Sequence, residues 1–189
     1  MALAHHVIIS MYGFWLPNDP RGSWSDFVGS WELLRFGEAT KVSTHRSVAH
    51  VPHDARARRQ AKRVLKHPPV TLTGRQARAV GRGFARAVAE GAYAVHACSI
   101  LPDHVHLVIG RHERSVGRIG GHLKGRATQR LVTEGLWPED QRPIWGGRGW
   151  KVFLDTPDDV RRAVAYVEEN PVKDGKPRQR WSFVVPFEG

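Results

Sequence analysis

The alternation of apolar and polar residues near the start of the chain predicts a β-strand. Val7, Ile9 and Met11 recur at every second position, which is the period of a strand with one buried face. Later segments with a similar apolar character are bounded by turn residues. The predicted strands are residues 5–12, 93–100, 104–109 and 150–154.

Apolar residues at helical spacing occupy the gaps between these strands. Thr73 can cap a helix whose apolar positions recur until Gly91, a residue type that commonly ends helices. The same spacing predicts a second helix over about residues 115–134. Helices thus alternate with the predicted strands.

A third helix near the C-terminus has the clearest start signal in the chain. Thr156 is a capping residue, Pro157 takes the first helical position, and two acidic residues complete the first turn. We expect this helix to end at about residue 169, because Asn170 precedes Pro171 and a residue before proline disfavours helical geometry.

This order of elements predicts an α+β fold of the ferredoxin-like type. It consists of an antiparallel sheet with two helices on one face, plus an added C-terminal helix that carries Tyr166. We expect residues 1–189 to form a single domain with an insertion at about 25–72 and a basic tail at about 171–189. Within the insertion, residues 54–66 predict a short basic helix or else a mobile arm.

The charge balance adds a prediction about the partner. Lys and Arg number 29 against 18 Asp and Glu, so the formal net charge is +11. The sequence pI of about 10.6 is in the range typical of nucleic-acid-binding proteins. A basic protein without such a partner is the alternative.

Other compositional features exclude several classes of protein. One cysteine, Cys98, excludes an internal disulfide and a cysteine-rich zinc site. No apolar run approaches the ~20 residues that a membrane-spanning helix needs. The N-terminus shows neither the basic region nor the cleavage site of a signal peptide. We therefore expect a cytoplasmic protein that does not bind membranes.

Two histidines alternate along the third predicted strand. His104 and His106 share one face, roughly 7 Å apart along the strand, whereas Val105 and Leu107 share the opposite face. This spacing allows two imidazoles to converge on one cation. The alternative is a pair of exposed or hydrogen-bonded strand histidines.

A tyrosine lies on the flank of the predicted C-terminal helix. Tyr166 is about 110° from the centre of the apolar stripe of that helix, and Asn170 follows on the same flank. A phenol, with an ordinary pKa of ~10, becomes a useful nucleophile when a metal polarises the phosphate that it attacks. An ordinary amphipathic tyrosine at a helix edge is the alternative.

Basic and aromatic residues offer surfaces for nucleic acid. The basic residues that would contact phosphates are Arg56, Arg58, Arg59, Lys62 and Arg63 in the insertion, and Lys173, Lys176, Arg178 and Arg180 near the C-terminus. The tryptophans that would stack on bases are Trp15, Trp24, Trp145, Trp150 and Trp181. The alternatives are a solvated basic face and tryptophans packed in the core or in loops.

The histidine and tyrosine motifs, in this order, resemble those of the HUH single-tyrosine transposases. Residues 101–108, LPDHVHLV, resemble the family's His-hydrophobe-His motif. Residues 166–175, YVEENPVKDG, resemble the Tyr-x-x-x-Asn-Pro-Val segment of the REP-associated tyrosine transposase branch. Residues 12–17 and 19–22 resemble an opening common in this group, whereas the insertion matches weakly.

The resemblance implies a metal-dependent transposase or endonuclease that cuts and rejoins single-stranded, hairpin-associated DNA. His104 and His106 would be the ligands of Mg²⁺ or Mn²⁺, and Tyr166 the nucleophile that forms a 5′-phosphotyrosine and releases a 3′-hydroxyl. Asn170 stands where many relatives have a glutamine as a third ligand. The partner would be single-stranded or hairpin DNA, and the protein would act as a monomer or homodimer.

Two other functions fit the same residues. One is a protein that binds hairpin DNA without cutting it. The other is a metal-dependent hydrolase built on the His-x-His pair. Such hydrolases usually need further ligands, and Asp103 and His96 are the nearest candidates.

Overall fold

The computed structural model of the protein describes residues 2–42, 48, 50–139, 143–147 and 149–189. Its strands are β1 (Ala4–Ser10), β2 (Val95–Ile100), β3 (His104–Gly110) and β4 (Trp150–Leu154). Its helices are α1 (Trp31–Leu34), α2 (Ala55–Arg63), α3 (Gly74–Gly91), α4 (Val116–Thr133) and α5 (Pro157–Lys173).

The strands form one antiparallel sheet in the order β2-β3-β1-β4. This order arises when two βαβ units interlock, each with a helix that crosses over an intervening strand. The α+β, ferredoxin-like prediction is therefore confirmed. Because β1 and β3 are the central neighbours, residues from the first and third strands lie side by side.

The main core lies between the sheet and the helices α3 and α4. Val7 and Ile9 of β1 and Leu107 of β3 point into it, as their alternation predicts. The two helices approach so closely that a Cβ atom at Gly83 would lie 2.4 Å from the Cα atom of Ala127. Glycine is required there because any side chain would force the helices apart.

The opposite face of the sheet is covered by α5. A capping box between Thr156 and Asp159 fixes its start. The apolar stripe of α5 then packs on alternate residues of the strands, and the cluster consists of Ala4, Ala97, Val108, Leu154, Val160, Ala163 and Val167. This helix leaves part of the sheet face uncovered, and the candidate site lies along that boundary.

Several sequence predictions need correction or refinement. Residues 55–63 form a helix rather than a mobile arm, with Asp54 as the cap. Within the described insertion there is also a short helix, α1, which no apolar periodicity predicted. The prediction that the C-terminal helix ends at about residue 169 is wrong, since α5 continues through Pro171 to Lys173. None of the helices in the described ranges is long and apolar enough to cross a membrane.

Candidate active site

The histidine pair of β3 lies on the α5 face of the sheet. In the β1–β3 register, His104 is opposite Ser10 and His106 is opposite Ile8. Directly opposed residues of antiparallel strands project to the same side. The centroids of the two imidazole rings are 4.7 Å apart, so both rings can contact one small ion.

Asp103 orients the first of these imidazoles. The Nδ1 atom of His104 donates a hydrogen bond of 2.7 Å to the Asp103 carboxylate. This bond is the largest cause of a lowered pKa at Asp103, so the carboxylate is charged at neutral pH. Fixing the proton on Nδ1 leaves the lone pair of His104 Nε2 available to a ligand.

His6 of β1 contacts the second imidazole, and the sequence analysis missed it. The Nε2 atom of His6 and the Nδ1 atom of His106 share a hydrogen bond of 2.9 Å. Burial lowers the pKa of His6 to about 4, and burial, followed by the charge of His104, lowers that of His106 well below its usual value. Both rings are therefore neutral near pH 7. The tautomer in which His106 Nδ1 donates to His6 Nε2 leaves the lone pair of His106 Nε2 for a ligand.

Tyr166 extends from α5 toward these rings. Its ring centroid is 5.6 Å from that of His106 and 5.7 Å from that of His6. The side chain is 43% exposed, and its hydroxyl has no hydrogen-bond partner among the described residues. Burial of the ring raises the pKa of the phenol. The structure thus brings Tyr166 of α5 next to His104 and His106 of β3, although Tyr166 follows them by about 60 residues in the sequence.

The additional turn of α5 places a cation over this tyrosine. The Nζ atom of Lys173 lies 4.6 Å from the centroid of the Tyr166 ring. Pro171 removes a single helix hydrogen bond, but it is buried together with Asn170, and this packing holds the last turn in place. A residue predicted to belong to the basic tail is therefore adjacent to the predicted nucleophile.

Asn170 is more buried than its predicted position on the flank of the helix would suggest. It is 9% exposed, in the stripe of α5 that faces the sheet. Its Nδ2 atom is buried without a hydrogen-bond partner in the described part of the chain, as is the hydroxyl of Ser99, which pairs with His106 across β2 and β3. Buried polar atoms without partners are costly and uncommon, which favours a polar ligand beneath α5.

The donor groups present fit a cation with open coordination positions. Within the described residues, no three or more His, Cys, Asp or Glu side chains are grouped so as to hold a metal. His104 and His106 would each offer an Nε2 atom, and Asn170, predicted as a third ligand, would offer its amide oxygen. A cation held this way would complete its coordination with water and substrate oxygens, as Mg²⁺ commonly does. Imidazole also suits transition metals, so Mn²⁺ is a second candidate.

The further ligand suggested for a hydrolase does not join this group. His96 lies against Gly110 and bonds to the carbonyl of Val185. Gly110 is at the far end of β3 from His104, roughly 20 Å away at the usual strand rise. Asp103 is engaged with His104 instead of pointing at a shared ion.

The basic helix α2 borders the same end of the sheet. Lys62 lies 4.5 Å from the centroid of the Phe14 ring, and burial lowers the pKa of its amine while Asp103 opposes that effect. The segment after α2 bonds to the turn before β3, where Leu72 donates to the carbonyl of Pro102. The exposed arginines of α2 are Arg56, Arg59 and Arg63.

The basic residues after α5 differ in how far their charge is balanced. Arg178 forms an ion pair with Glu169, and Lys176 lies 3.4 Å from the Asp174 carboxylate. Arg180 is exposed. Of the predicted phosphate contacts near the C-terminus, Lys173 alone contacts Tyr166 in the described structure.

Comparisons with known proteins include a distant likeness to a solved structure. No protein-family model matches the chain, and no curated protein matches it. Among solved structures, it is similar to a REP-associated tyrosine transposase bound to a REP hairpin. The two chains are 14% identical, the similar region covers 93% of this chain and 70% of that one, and the TM-score is 0.49. At this level the likeness carries no argument about function.

Proposed function

We propose that the protein is a metal-dependent nuclease and strand transferase that acts on single-stranded DNA through a covalent link to Tyr166. The observation that carries the proposal is the placement of the Tyr166 ring against the imidazole of His106, 5.6 Å between centroids, with the hydroxyl unpartnered among the described residues. The tyrosine proposed as the nucleophile and the histidines proposed to orient the phosphate are therefore neighbours, although they lie on separate elements.

His104 and His106 orient the scissile phosphate in this proposal. A divalent cation bound to them, Mg²⁺ or Mn²⁺, would supply Lewis-acid polarisation of a phosphate oxygen. In this proposal Asp103 accepts from His104 Nδ1 and His6 Nε2 accepts from His106 Nδ1, so the Nε2 lone pair of each metal-site ring is free. Asn170 supplies an amide as a third ligand from α5.

Tyr166 performs the covalent step. Its oxygen loses the phenol proton and forms a bond to phosphorus, while the bond from phosphorus to the 3′-oxygen breaks and that oxygen takes up a proton. The product is a 5′-phosphotyrosine and a free 3′-hydroxyl. Attack by another 3′-hydroxyl reverses the step and joins strands without external energy. The positive charge of Lys173, 4.6 Å from the centroid of the tyrosine ring, would attract the phosphate of the DNA strand.

The direct test is the trapping of a covalent complex. The protein is incubated with single-stranded hairpin oligonucleotide libraries and Mg²⁺ or Mn²⁺, and a denaturing gel then reports protein that migrates with labelled DNA. A labelled band that resists denaturation supports the proposal. Binding in a native gel without such a band favours the non-catalytic hairpin-binding alternative, whereas hydrolysis without a covalent band favours the hydrolase.

Affinity for single-stranded DNA should fall steeply with salt. The arginines Arg56, Arg59 and Arg63 are exposed on α2, beside the site. If each neutralises one phosphate, replacing all three by serine should reduce the slope of log K against log salt by about 2, since each contact contributes about 0.7 for single strands. Fluorescence anisotropy over a salt series measures this slope.

A matched control separates local contacts from net charge. Arg75, Arg111 and Arg118 are also exposed. Arg75 and Arg118 lie on α3 and α4, which cover the other face of the sheet, and Arg111 follows the end of β3 that is far from His104. Their triple serine variant makes the same change in net charge and should keep the slope of the unchanged protein. Equal slopes for both variants would show that α2 is not a phosphate contact surface.

His6 should affect cleavage less than the histidines it supports. It contacts His106 but belongs to no predicted metal motif, so we assign it a positioning role. Replacing it by alanine should lower cleavage roughly 10–100-fold, a typical effect for partners of metal ligands. His6→Asn, which keeps a polar group, should recover part of that loss, and both variants should need more metal. Full activity of His6→Ala at limiting metal would contradict this role.

A further inference from the structure

Apolar side chains line the part of the sheet that α5 leaves uncovered. Ile8 and Trp150 are directly opposed on β1 and β4, and Ile8 is also opposed to His106 on β3. These side chains therefore project to the same side of the sheet in one row. Both Ile8 and Trp150 are half-buried, and neither belongs to an apolar cluster formed by the described residues.

Trp24 adds to this apolar surface at the edge of the sheet. Its ring meets that of Trp150 edge to face, with centroids 5.1 Å apart. Trp24 is likewise half-buried and outside the apolar clusters of the described residues. The Nζ atom of Lys151 lies 5.9 Å from the centroid of the Trp24 ring, which places a positive charge beside that ring.

The other tryptophans predicted as stacking surfaces have different surroundings. Trp145 and Trp181 pack against the main core. Trp15 has the guanidinium of Arg21 over its ring at 4.0 Å. Of the tryptophans predicted to stack on bases, Trp24 and Trp150 are thus the two on the sheet face that holds the histidines. Trp150 lies on β4, two strands away from β3. At the usual strand spacing, Trp150 is roughly 10 Å from His106.

We propose that Trp150, supported by Trp24, stacks on an unpaired base of the DNA strand whose phosphate lies at His104 and His106. This inference rests on the proposed function and adds a base-binding subsite to it. Stacking needs a flat, partly exposed aromatic ring and places few demands on base identity. The net charge of +11 complements the phosphates on either side of that base.

Two ligands with equal charge separate stacking from phosphate binding. Hexathymidylate and a hexamer of abasic deoxyribose phosphate are titrated into the full chain in EDTA, so that no cleavage occurs. We expect hexathymidylate to bind roughly 5- to 150-fold more tightly, which corresponds to about 1–3 kcal/mol for one stacked base. Trp150→Leu should remove this preference without changing the affinity for the abasic hexamer. Trp150→Phe should retain much of it.

Trp31→Leu serves as the control for loss of an exposed tryptophan. Trp31 is 83% exposed on α1, outside the sheet face that holds the histidines. A second measurement uses the unmutated protein, so it does not depend on how a variant folds. Hexathymidylate with 5-iododeoxyuridine at one position is photocrosslinked, and mass spectrometry should place the adduct on Trp150 or Trp24.

The outcomes distinguish this subsite from the proposed function. Equal affinity for the two hexamers, a base preference that persists in Trp150→Leu, or crosslinks only at other residues would overturn the subsite while leaving DNA as the partner. Failure of both hexamers to bind at low salt would overturn the proposed function, and the subsite with it.

Discussion

Replacing Tyr166 by phenylalanine should abolish the covalent protein–DNA complex and leave DNA binding unchanged. The substitution removes one oxygen and keeps the ring that packs against His6 and His106. Since the hydroxyl has no hydrogen-bond partner among the described residues, the free energy of unfolding should change by less than about 1 kcal/mol. A nucleophile, by contrast, loses its attacking atom. Denaturing gels and thermal unfolding measure the two effects separately.

Tyr12 provides the matched control for this variant. Its ring is also partly buried and contacts the imidazole of His67. Tyr93 is unsuitable, because its hydroxyl bonds to His122 and Arg114 and its loss would change the packing of α4. Tyr12→Phe should therefore form the adduct normally, and mass spectrometry should place the nucleotide on Tyr166. Adduct formation by Tyr166→Phe would refute the proposed mechanism.

The sheet was predictable because its pattern is local. Alternation of Val7 and Ile9 marks one face of β1, and the pattern of β3 marks the same face. Given the ferredoxin-like order, β1 and β3 must be neighbours. The position of His6 on the face opposite Val7 would then have placed it beside the histidine pair. The sequence therefore contained enough information to find His6, but finding it required the order of the strands in the sheet as well as the alternation along β1.

Other features depend on packing that no short pattern reveals. The rule that a helix ends before proline failed at Pro171, since burial of that turn outweighs the loss of one hydrogen bond. Because α5 continues past Pro171, Lys173 lies on the same helix as Tyr166 and contacts its ring, which the sequence did not predict. The insertion is organised by a cluster of Leu16, Leu33 and Ala61, residues distant in sequence without a common period. Its short helix was therefore not predicted.

Replacing either His104 or His106 by alanine should reduce cleavage by about a thousandfold or more. Polarisation of a phosphate by a metal is worth several kcal/mol of transition-state stabilisation, and each 1.36 kcal/mol changes the rate about tenfold. Cleavage assays with both Mg²⁺ and Mn²⁺ give the rate, and anisotropy in EDTA gives DNA affinity. Affinity should remain near that of the unchanged protein, because the exposed lysines and arginines supply most of the phosphate contacts.

Asn170→Ala should have a weaker effect on the same site than the two histidine variants. If the amide is a third ligand, this variant should need more metal for half-maximal cleavage and should approach full rate when metal is in excess. His104→Ala and His106→Ala should not recover under those conditions, because each removes one of the two proposed imidazole ligands. Cleavage that survives in both histidine variants would refute the metal site. Unchanged metal dependence in Asn170→Ala would instead limit Asn170 to the packing of α5 on the sheet, where it is already buried beside Val167.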